Sequence, residues 1–395
     1  MRIEDVSQIV NELYAAITGN DDIQQVDATN IVDIGKALQG VTSVDNLYGK
    51  IVDKVGRTVI LNKTFRAKFP SLYRDGWTFG SIMETLRIKP FVAEKDNSQN
   101  PTAGTYDTFL QYAPAELVAK YYNSEVNFRY KYWRPTDQLW TSFQNMETLV
   151  RFFSAIEMAV ANSLEVDLLG LAQTALNNMA AQTIYNAYGK DMTKIGTKST
   201  SKAVNVLFEY NTEHPTATLT VDNFRQSPEF WRFFVKKVKK DRERIQLMTK
   251  IYNIDAEDTH TNAEDIVLTV LSQFEADIQV DMQSDVYNKS LVDLPGNYET
   301  VAAWQATGED EFSEAVASEI SVKIEDGNTT ADVEVPHILA YQLDKMAAGI
   351  ACERKKATSF YNPDIDMTCI LDNYRGMYYN DFSQNFIVYF CADET

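Results

Sequence analysis

The 395-residue sequence predicts an α+β fold organised around one long helix, and three observations carry that prediction. A β-hairpin signal occupies residues 81–133, one apolar-periodic segment follows over about residues 142–188, and strand and helix patterns alternate from Ala203 onward.

The chain divides by pattern into five parts: an N-terminal arm (1–60), a connector with an extended hairpin (61–140), a spine-helix segment (141–202), an α+β lobe (203–350) and a set of return strands (351–395). In the arm, Val6, Ile9, Val10, Leu13 and Ile17 share one helical face until Gly19-Asn20-Asp21-Asp22 breaks it, and a second short helix fits Asp27–Leu38. Neither is long enough to be stable alone, so both should lie on another surface. Lys63–Gly80 holds Phe65, Phe69, Leu72, Tyr73, Trp77 and Phe79 among Pro70 and Gly76, an irregular aromatic stretch that reads as a packed connector.

The hairpin's first arm, Ser81–Val92, follows Gly80 and takes its apolar content from Met83, Leu86, Ile88 and Val92. In the second arm Tyr122, Ser124, Val126, Phe128, Tyr130 and Tyr132 alternate with Asn123, Glu125, Asn127, Arg129 and Lys131, and period two means strand. Between them Glu94–Lys120, with Asp96-Asn97-Ser98-Gln99-Asn100-Pro101 and Gly104, reads as a broad polar tip. Two-stranded ribbons are marginal in water, so either the chain's own core or a neighbouring subunit covers this one. The second reading makes Met83, Ile88, Tyr122, Val126, Phe128 and Tyr130 candidate contact residues.

Behind Thr141 or Ser142 as a candidate cap, Phe143, Met146, Val150, Phe153, Ile156, Val160, Leu164, Leu168, Leu171, Ala175 and Met179 recur at steps of three and four. Unbroken, such a helix spans about 70 Å at 1.5 Å per residue, with Gly170 a candidate bend. Its polar face lacks the heptad-ordered Glu/Lys pattern of a coiled coil. Thr193–Lys202 reads as a polar loop. In the lobe, Val204–Tyr210 reads as strand, Ser227–Tyr252 as helix, Ile266–Leu271 as strand leading into a helix from Ser272, and Glu319–Ile324 as strand. Pro336 suits a first helical turn, so a helix is expected through His337, Leu339, Leu343 and Met346 to Gly349. Thr368–Phe390 returns to strands, with Tyr374-Arg375-Gly376 and Asn380-Asp381-Phe382-Ser383 as turns.

Composition narrows the function more by exclusion than by selection. With 37 Lys+Arg against 56 Asp+Glu the formal charge is -19, which argues against a coat that neutralises nucleic-acid phosphates by direct contact. Cys352, Cys369 and Cys391 form no CxxC pair, so neither a disulfide scaffold nor a zinc site is indicated, and free thiols in a reducing compartment are the simpler account. Met1-Arg2-Ile3-Glu4-Asp5 does not read as a signal peptide, and no apolar run approaches the ~18 residues of a membrane span, so synthesis and folding in the cytoplasm are expected.

No catalytic, cofactor or metal residues emerge. His214, His260 and His337 lie far apart without HxxxH or HExxH spacing. Asp364-Ile365-Asp366-Met367-Thr368 matches a DxDxT phosphatase pattern, but too near the end for that family's remaining groups, and reads as a turn with a carboxylate cap. Asn253–Glu264 is acidic yet lacks the tight-turn Gly and spaced oxygens of a calcium loop. Walker, GxGxxG and GxSxG patterns are absent. The basic run Lys236, Lys237, Lys239 and Lys240 lies on the helix expected at 227–252, whose apolar side is Phe230, Phe233, Phe234, Val238, Ile245 and Met248. It is either a solvated face or a contact for nucleic acid or for an acidic neighbouring subunit, the last being the preferred functional reading.

Arm, long hairpin, spine helix, α+β lobe and return strands, in that order, resemble the major capsid protein of tailed bacteriophages, the Hong Kong 97 capsid fold. Ser359-Phe360-Tyr361-Asn362-Pro363 through Arg375-Gly376-Met377-Tyr378-Tyr379-Asn380-Asp381 is similar to capsid proteins of small podovirus-type phages of Gram-positive bacteria. The resemblance implies a structural building block of an icosahedral shell, not an enzyme. It makes Gly80–Trp133 an extended loop reaching over a neighbour, Ser142–Tyr188 the spine of a peripheral domain, Ala203–Gly349 an axial domain and Ala351–Thr395 a return to the peripheral domain. It further implies pentamers and hexamers, scaffolding, portal and decoration proteins as partners, and packaged double-stranded DNA held without sequence-specific contact. The family's cleaved N-terminal scaffold domain would be longer than the first 60 residues, so a separate scaffolding protein or none is expected. An encapsulin-like compartment shell is the alternative within the fold. A two-lobed soluble ligand-binding protein is the alternative outside it, and would be a monomer with a secretion signal.

Overall fold

The computed structural model describes residues 8–11, 14, 31–41, 69–74, 83–88, 116–135, 138, 141–282, 294–296, 298–305, 317–326, 329–365 and 367–393. Most of the expected arm, connector and hairpin tip lies outside them. The chain forms two compact units: Met1–Phe79, Ser124–Leu176 and Gly349–Tyr378 make the first, and Gly80–Asn123, Asn177–Ala348 and Tyr379–Thr395 the second.

The strands among the described residues are, in chain order, β1 (Met83–Ile88), β2 (Leu117–Tyr122), β3 (Ser124–Pro135), β4 (Ala203–Asn205), β5 (Ile266–Leu271) and β6 (Tyr298–Val301). They continue with β7 (Ile320–Asp326), β8 (Thr329–Val335), β9 (Ile338–Asp344), β10 (Ala348–Asn362), β11 (Met367–Asn380) and β12 (Phe386–Phe390).

The first unit sets the long helix against a sheet of order β10-β11-β3. The helix runs Met146–Ala187, 42 residues or about 63 Å, and contributes its part up to Leu176 here. Phe153, Ile156, Val160, Leu164, Leu168 and Leu171 are buried at helical spacing, as the apolar stripe predicts, although Leu149 takes the core position expected of Val150. The cap is Asn145, whose Oδ1 accepts from the Glu147 N–H at 3.2 Å, in place of Thr141 or Ser142. A short helix, Ile31–Val41, buries Ile31 and Leu38, close to the second arm helix expected at Asp27–Leu38.

In the second unit a mixed sheet of order β4-β12-β9-β5-β6 forms the core. β12 and β9 pair antiparallel, as do β5 and β9, while β4 and β6 join as parallel outer strands. All residues of β5, β9 and β12 are buried, which requires cover on both faces. Tyr389 meets Phe234 of the helix Pro228–Ile245 at 5.7 Å between ring centres, whereas its neighbour Phe390 meets Tyr188 at 6.4 Å. Tyr341 packs on Trp304 with ring centres 4.2 Å apart and the planes tilted by 47°, and the Trp304 carbonyl accepts from Asn177 of the long helix at 2.7 Å. The helix Pro228–Ile245 starts as the sequence instructs, with Ser227 as cap and Pro228 in its first turn.

Several expected elements differ. The first arm of the hairpin pairs with β2, not with residues 124–133: Leu86 faces Ala119 and Ile88 faces Leu117. β3 instead pairs with β11 over its whole length, from Ser124 opposite Tyr378 to Pro135 opposite Met367. Alternation correctly marks a strand, but it carries no information about the partner. Only Ala203–Asn205 is extended around the expected strand Val204–Tyr210, because the Asn205 Oδ1 accepts from the Phe208 N–H at 3.2 Å and starts the helix Val206–Glu213. The helix expected after Pro336 is the strand β9, since a fully buried strand shows the same unbroken apolar run as a buried helix. Tyr374-Arg375-Gly376 is no turn but the middle of β11, whereas Asp381–Ser383 does turn, with the Asp381 Oδ1 accepting from the Ser383 N–H and hydroxyl at 3.1 and 2.7 Å. The return strands, expected together at 351–395, divide: β12 pairs with β9 and β4, which places residues 379–395 in the second unit, while residues 349–378 belong to the first.

Candidate subunit interface

The β1–β2 ribbon is amphipathic in the sense opposite to an ordinary surface hairpin. Side chains alternate across a strand, so Arg87 and Thr85 share one face of β1 while Glu84, Leu86 and Ile88 share the other. On β2, Val118, Lys120 and Tyr122 are half-buried, and Leu117, Ala119 and Tyr121 are exposed. The outward face therefore carries Leu86 (60% exposed), Ile88 (60%), Leu117 (58%) and Tyr121 (65%).

The inward face is held by charge. Arg87 donates to the Ser383 carbonyl at 3.2 Å, to Glu257 at 3.4 Å and to the Thr259 hydroxyl. Lys120 pairs with Asp255 and, at 3.4 Å, with the buried Asp381. Burial pushes the Lys120 ammonium down, but its hydrogen bond to Asp255 and the charges of Asp381 and Asp255 outweigh that and raise it. Burial likewise pushes the Asp381 carboxyl up, and the bonds from Ser383 together with the Lys120 charge hold it below its usual range.

The loop that receives these cations is hydrogen-bonded across itself. Asn253, itself buried, donates to the Glu257 carbonyl at 2.7 Å and accepts from the Glu257 N–H at 2.9 Å, closing residues 253–257 around Ala256 at φ 53°. A left-handed alanine persists only where its surroundings dictate it. The Phe382 carbonyl ties this loop to the Asp381 turn by accepting from the Ile254 and Asp255 N–H groups at 3.0 and 3.2 Å. The acidic stretch Asn253–Glu264 thus serves as a socket for two cations of the same chain.

The expected contact residues separate accordingly. Ile88 and Val126 are exposed. Tyr122 packs on Tyr379 at 5.4 Å, Phe128 lies against Gly376, and Tyr130 donates to Asp167 of the long helix, so these three are engaged within the chain. Met83 lies on β1 opposite Tyr122. Of the basic run, Lys237 is turned inward onto Glu209 at 2.7 Å and the buried Asp241 at 3.9 Å, Lys239 is half-buried, and Lys236 and Lys240 are exposed. Leu86, Leu117 and Tyr121 are exposed on the same face as Ile88 and are residues that sequence reasoning misses. Their signal is the alternation with Arg87 and Lys120, hidden by the ordinary presumption that the charged face is the wet one.

The histidines and cysteines do not converge on a reactive centre. His214 stacks on Tyr210 at 4.4 Å, and burial lowers the His337 imidazole. Cys352, Cys369 and Cys391 are free thiols, and burial first, then the nearby Asp167, push Cys352 up to about 12. Among the described residues no cluster of His, Cys, Asp and Glu could hold a metal ion, and no helix is long and apolar enough to cross a membrane.

A spine helix against one sheet and a second unit around another make an α+β fold, and the family the chain matches makes it a structural subunit of a phage capsid. The chain belongs to the family described as Phi29-like phage major capsid protein, which it matches over residues 6–390. No curated protein matches it. Among solved structures, a chain of the Staphylococcus phage Andhra capsid is similar at 10% identity and TM-score 0.46, over 82% of this chain and 83% of that one. A chain in the structure of the head fiber and inner core protein gp22 of native bacteriophage P68 is similar at 12% identity and TM-score 0.48, over 84% and 86%. A chain of the cyanophage P-SCSP1u capsid gives 10% identity and TM-score 0.41, over 82% and 87%. Family membership selects the phage head over the compartment shell and the two-lobed binding protein. It places the chain in the virion capsid, in a shell built of many copies.

Proposed function

We propose that the outward face of the β1–β2 ribbon is a contact between copies of this chain in a closed head. The observation that carries this reading is the ribbon's inverted polarity. Exposed apolar side chains on a two-stranded ribbon whose charged face is already satisfied need cover from elsewhere. Ile88 and the exposed Met248 line a common cleft of about 480 Å3 whose other walls are largely charged, among them Lys250 and Asp258. Exposed Lys236 and Lys240, in a chain of formal charge -19, suit an acidic surface of a neighbouring copy. In this reading the second unit takes the axial position in rings of five and six, and the first unit is peripheral. The shell encloses double-stranded DNA without sequence-specific contact, since the acidic balance disfavours direct neutralisation of phosphates. Scaffolding, portal and decoration proteins are its partners, assembly takes place in the host bacterial cytoplasm, and the role is carried by interfaces and not by catalysis.

The test is assembly of Leu86→Lys/Leu117→Lys, two changes on the exposed face that leave the socket contacts in place. Light scattering and negative-stain microscopy are expected to find shells, rings or capsomers for the wild type, and a folded subunit without closed particles for the variant. Normal particles from the variant would overturn the interface. Deleting Glu94–Lys120 is a poorer probe, because it removes four of the six residues of β2.

A further inference from the structure

We infer that Arg87 and Lys120 form a releasable ionic latch, which holds the β1–β2 ribbon on its own unit and lets it lift away without unfolding that unit. The attachment is largely polar, and its acceptors are also held by groups outside the ribbon. Asp255 and Glu257 sit in a loop clamped by Asn253, Thr249 and Thr259 bridge behind it, and Asp381 is fixed by Ser383. Lifting the ribbon would therefore leave an intact socket. The large apolar side chains of its outer face, Leu86, Ile88 and Leu117, are already exposed, and the burial that release forfeits on the inner face is that of the half-buried Val118 and Tyr122. The aromatic contact on the inner face, Tyr122 against Tyr379, lies at the end of β2 beside Asn123, where the chain leaves the ribbon, and so acts as its pivot.

Arg87, Lys120, Asp255 and Glu257 all keep partial exposure, at 28%, 27%, 34% and 24% of their side chains. Ion pairs of that exposure are individually weak and are screened by salt. The third pair, Lys120 with Asp381, has its carboxylate 2% exposed and is screened less, so salt loosens the grip mainly through Arg87–Glu257 and Lys120–Asp255, whereas it would not loosen a buried apolar seam.

The inference concerns the isolated subunit, so it stands or falls separately from the proposed shell contact. It is tested by hydrogen exchange on the full chain, comparing peptides of β1 and β2 with those of β9 and β12. Arg87→Met/Lys120→Met is expected to speed ribbon exchange roughly five- to ten-fold while β9 and β12 keep the wild-type rate. Salt raised from about 0.05 to about 0.5 M should speed the wild-type ribbon and leave the double variant unchanged. The charge exchange Lys120→Asp/Asp255→Lys should restore most of the protection that Lys120→Asp alone removes. Wild-type ribbon exchange in the double variant would overturn the latch. So would a double variant that fails to fold, or in which β9 and β12 speed up equally, because the two residues would then be structural supports of the whole unit.

Discussion

Arg354 on β10 and Asp372 on β11 form a two-pronged ion pair inside the first unit, Nε to Oδ1 at 3.1 Å and an Nη to Oδ2 at 3.0 Å, with the side chains 5% and 1% exposed. The Tyr374 hydroxyl donates to the same carboxylate at 3.2 Å, and its ring lies 5.8 Å from the guanidinium. Desolvating two charges costs several kcal/mol, which only this close pairing offsets. Arg354→Met should therefore lower stability by about 3–5 kcal/mol, since it strands a buried carboxylate. Adding Asp372→Asn removes that charge and keeps an acceptor for Tyr374, so the double variant should recover more than half of the loss. Denaturant unfolding followed by circular dichroism measures both, and a loss of under about 1 kcal/mol for the single variant would contradict a desolvated pair.

Gly376 makes the close approach of sheet and helix in that unit. A Cβ there would stand 2.6 Å from the Phe128 ring and 2.9 Å from Leu171, on the strand and helix that flank it. Gly376→Ala is expected to cost about 1–3 kcal/mol, the usual penalty of overpacking a filled core. Gly170, inside the long helix, has open space where a Cβ would stand, with nothing within 4 Å, so Gly170→Ala should stabilise by about 0.5–1 kcal/mol through helix propensity alone. Thermal unfolding of the two variants should shift the midpoint in opposite directions, and a shift of the same sign would contradict this reading of the two glycines.

The parts of the fold legible in the sequence are those whose signal is local. The stripe from Phe153 to Leu171 reports a helix because each residue's burial depends on neighbours three and four places away. Ser227 and Pro228 mark a helix start by chemistry confined to one turn. Pairing is not local: Ile370 faces Tyr132 and Gly376 faces Val126 across more than half of the chain, and nothing in residues 124–135 names that partner. β9 reads as a helix in the sequence because complete burial erases the period that separates strand from helix. At the ribbon, alternation places Ile88 and Val126 on definite faces, but the identity of the outer face depends on Asp255, Glu257 and Asp381, acidic residues far along the chain.

Asp344, at the end of β9, offers a test of burial through pH. Burial raises its carboxyl from the usual 3.8, against the opposing bonds from the Met346 N–H at 2.8 Å and the Thr261 hydroxyl at 2.7 Å. A carboxyl raised on folding binds its proton more tightly in the folded than in the unfolded chain, so its contribution is largest below 3.8 and is lost as pH rises through the folded value. Asp344→Asn removes the titration and keeps an acceptor for the Met346 N–H, while its amide NH2 can donate to the Thr261 hydroxyl. The stability of the wild type minus that of Asp344→Asn should accordingly fall as pH rises from about 4, and level off once the folded carboxyl is ionised. Asp381, held below its usual range, works in the opposite direction but is present in both proteins and cancels in the difference. Urea unfolding at half-unit steps between about pH 4 and 7 gives the curve. A difference that rises with pH would mean that the bonds from Thr261 and Met346 outweigh burial and hold the Asp344 carboxyl down.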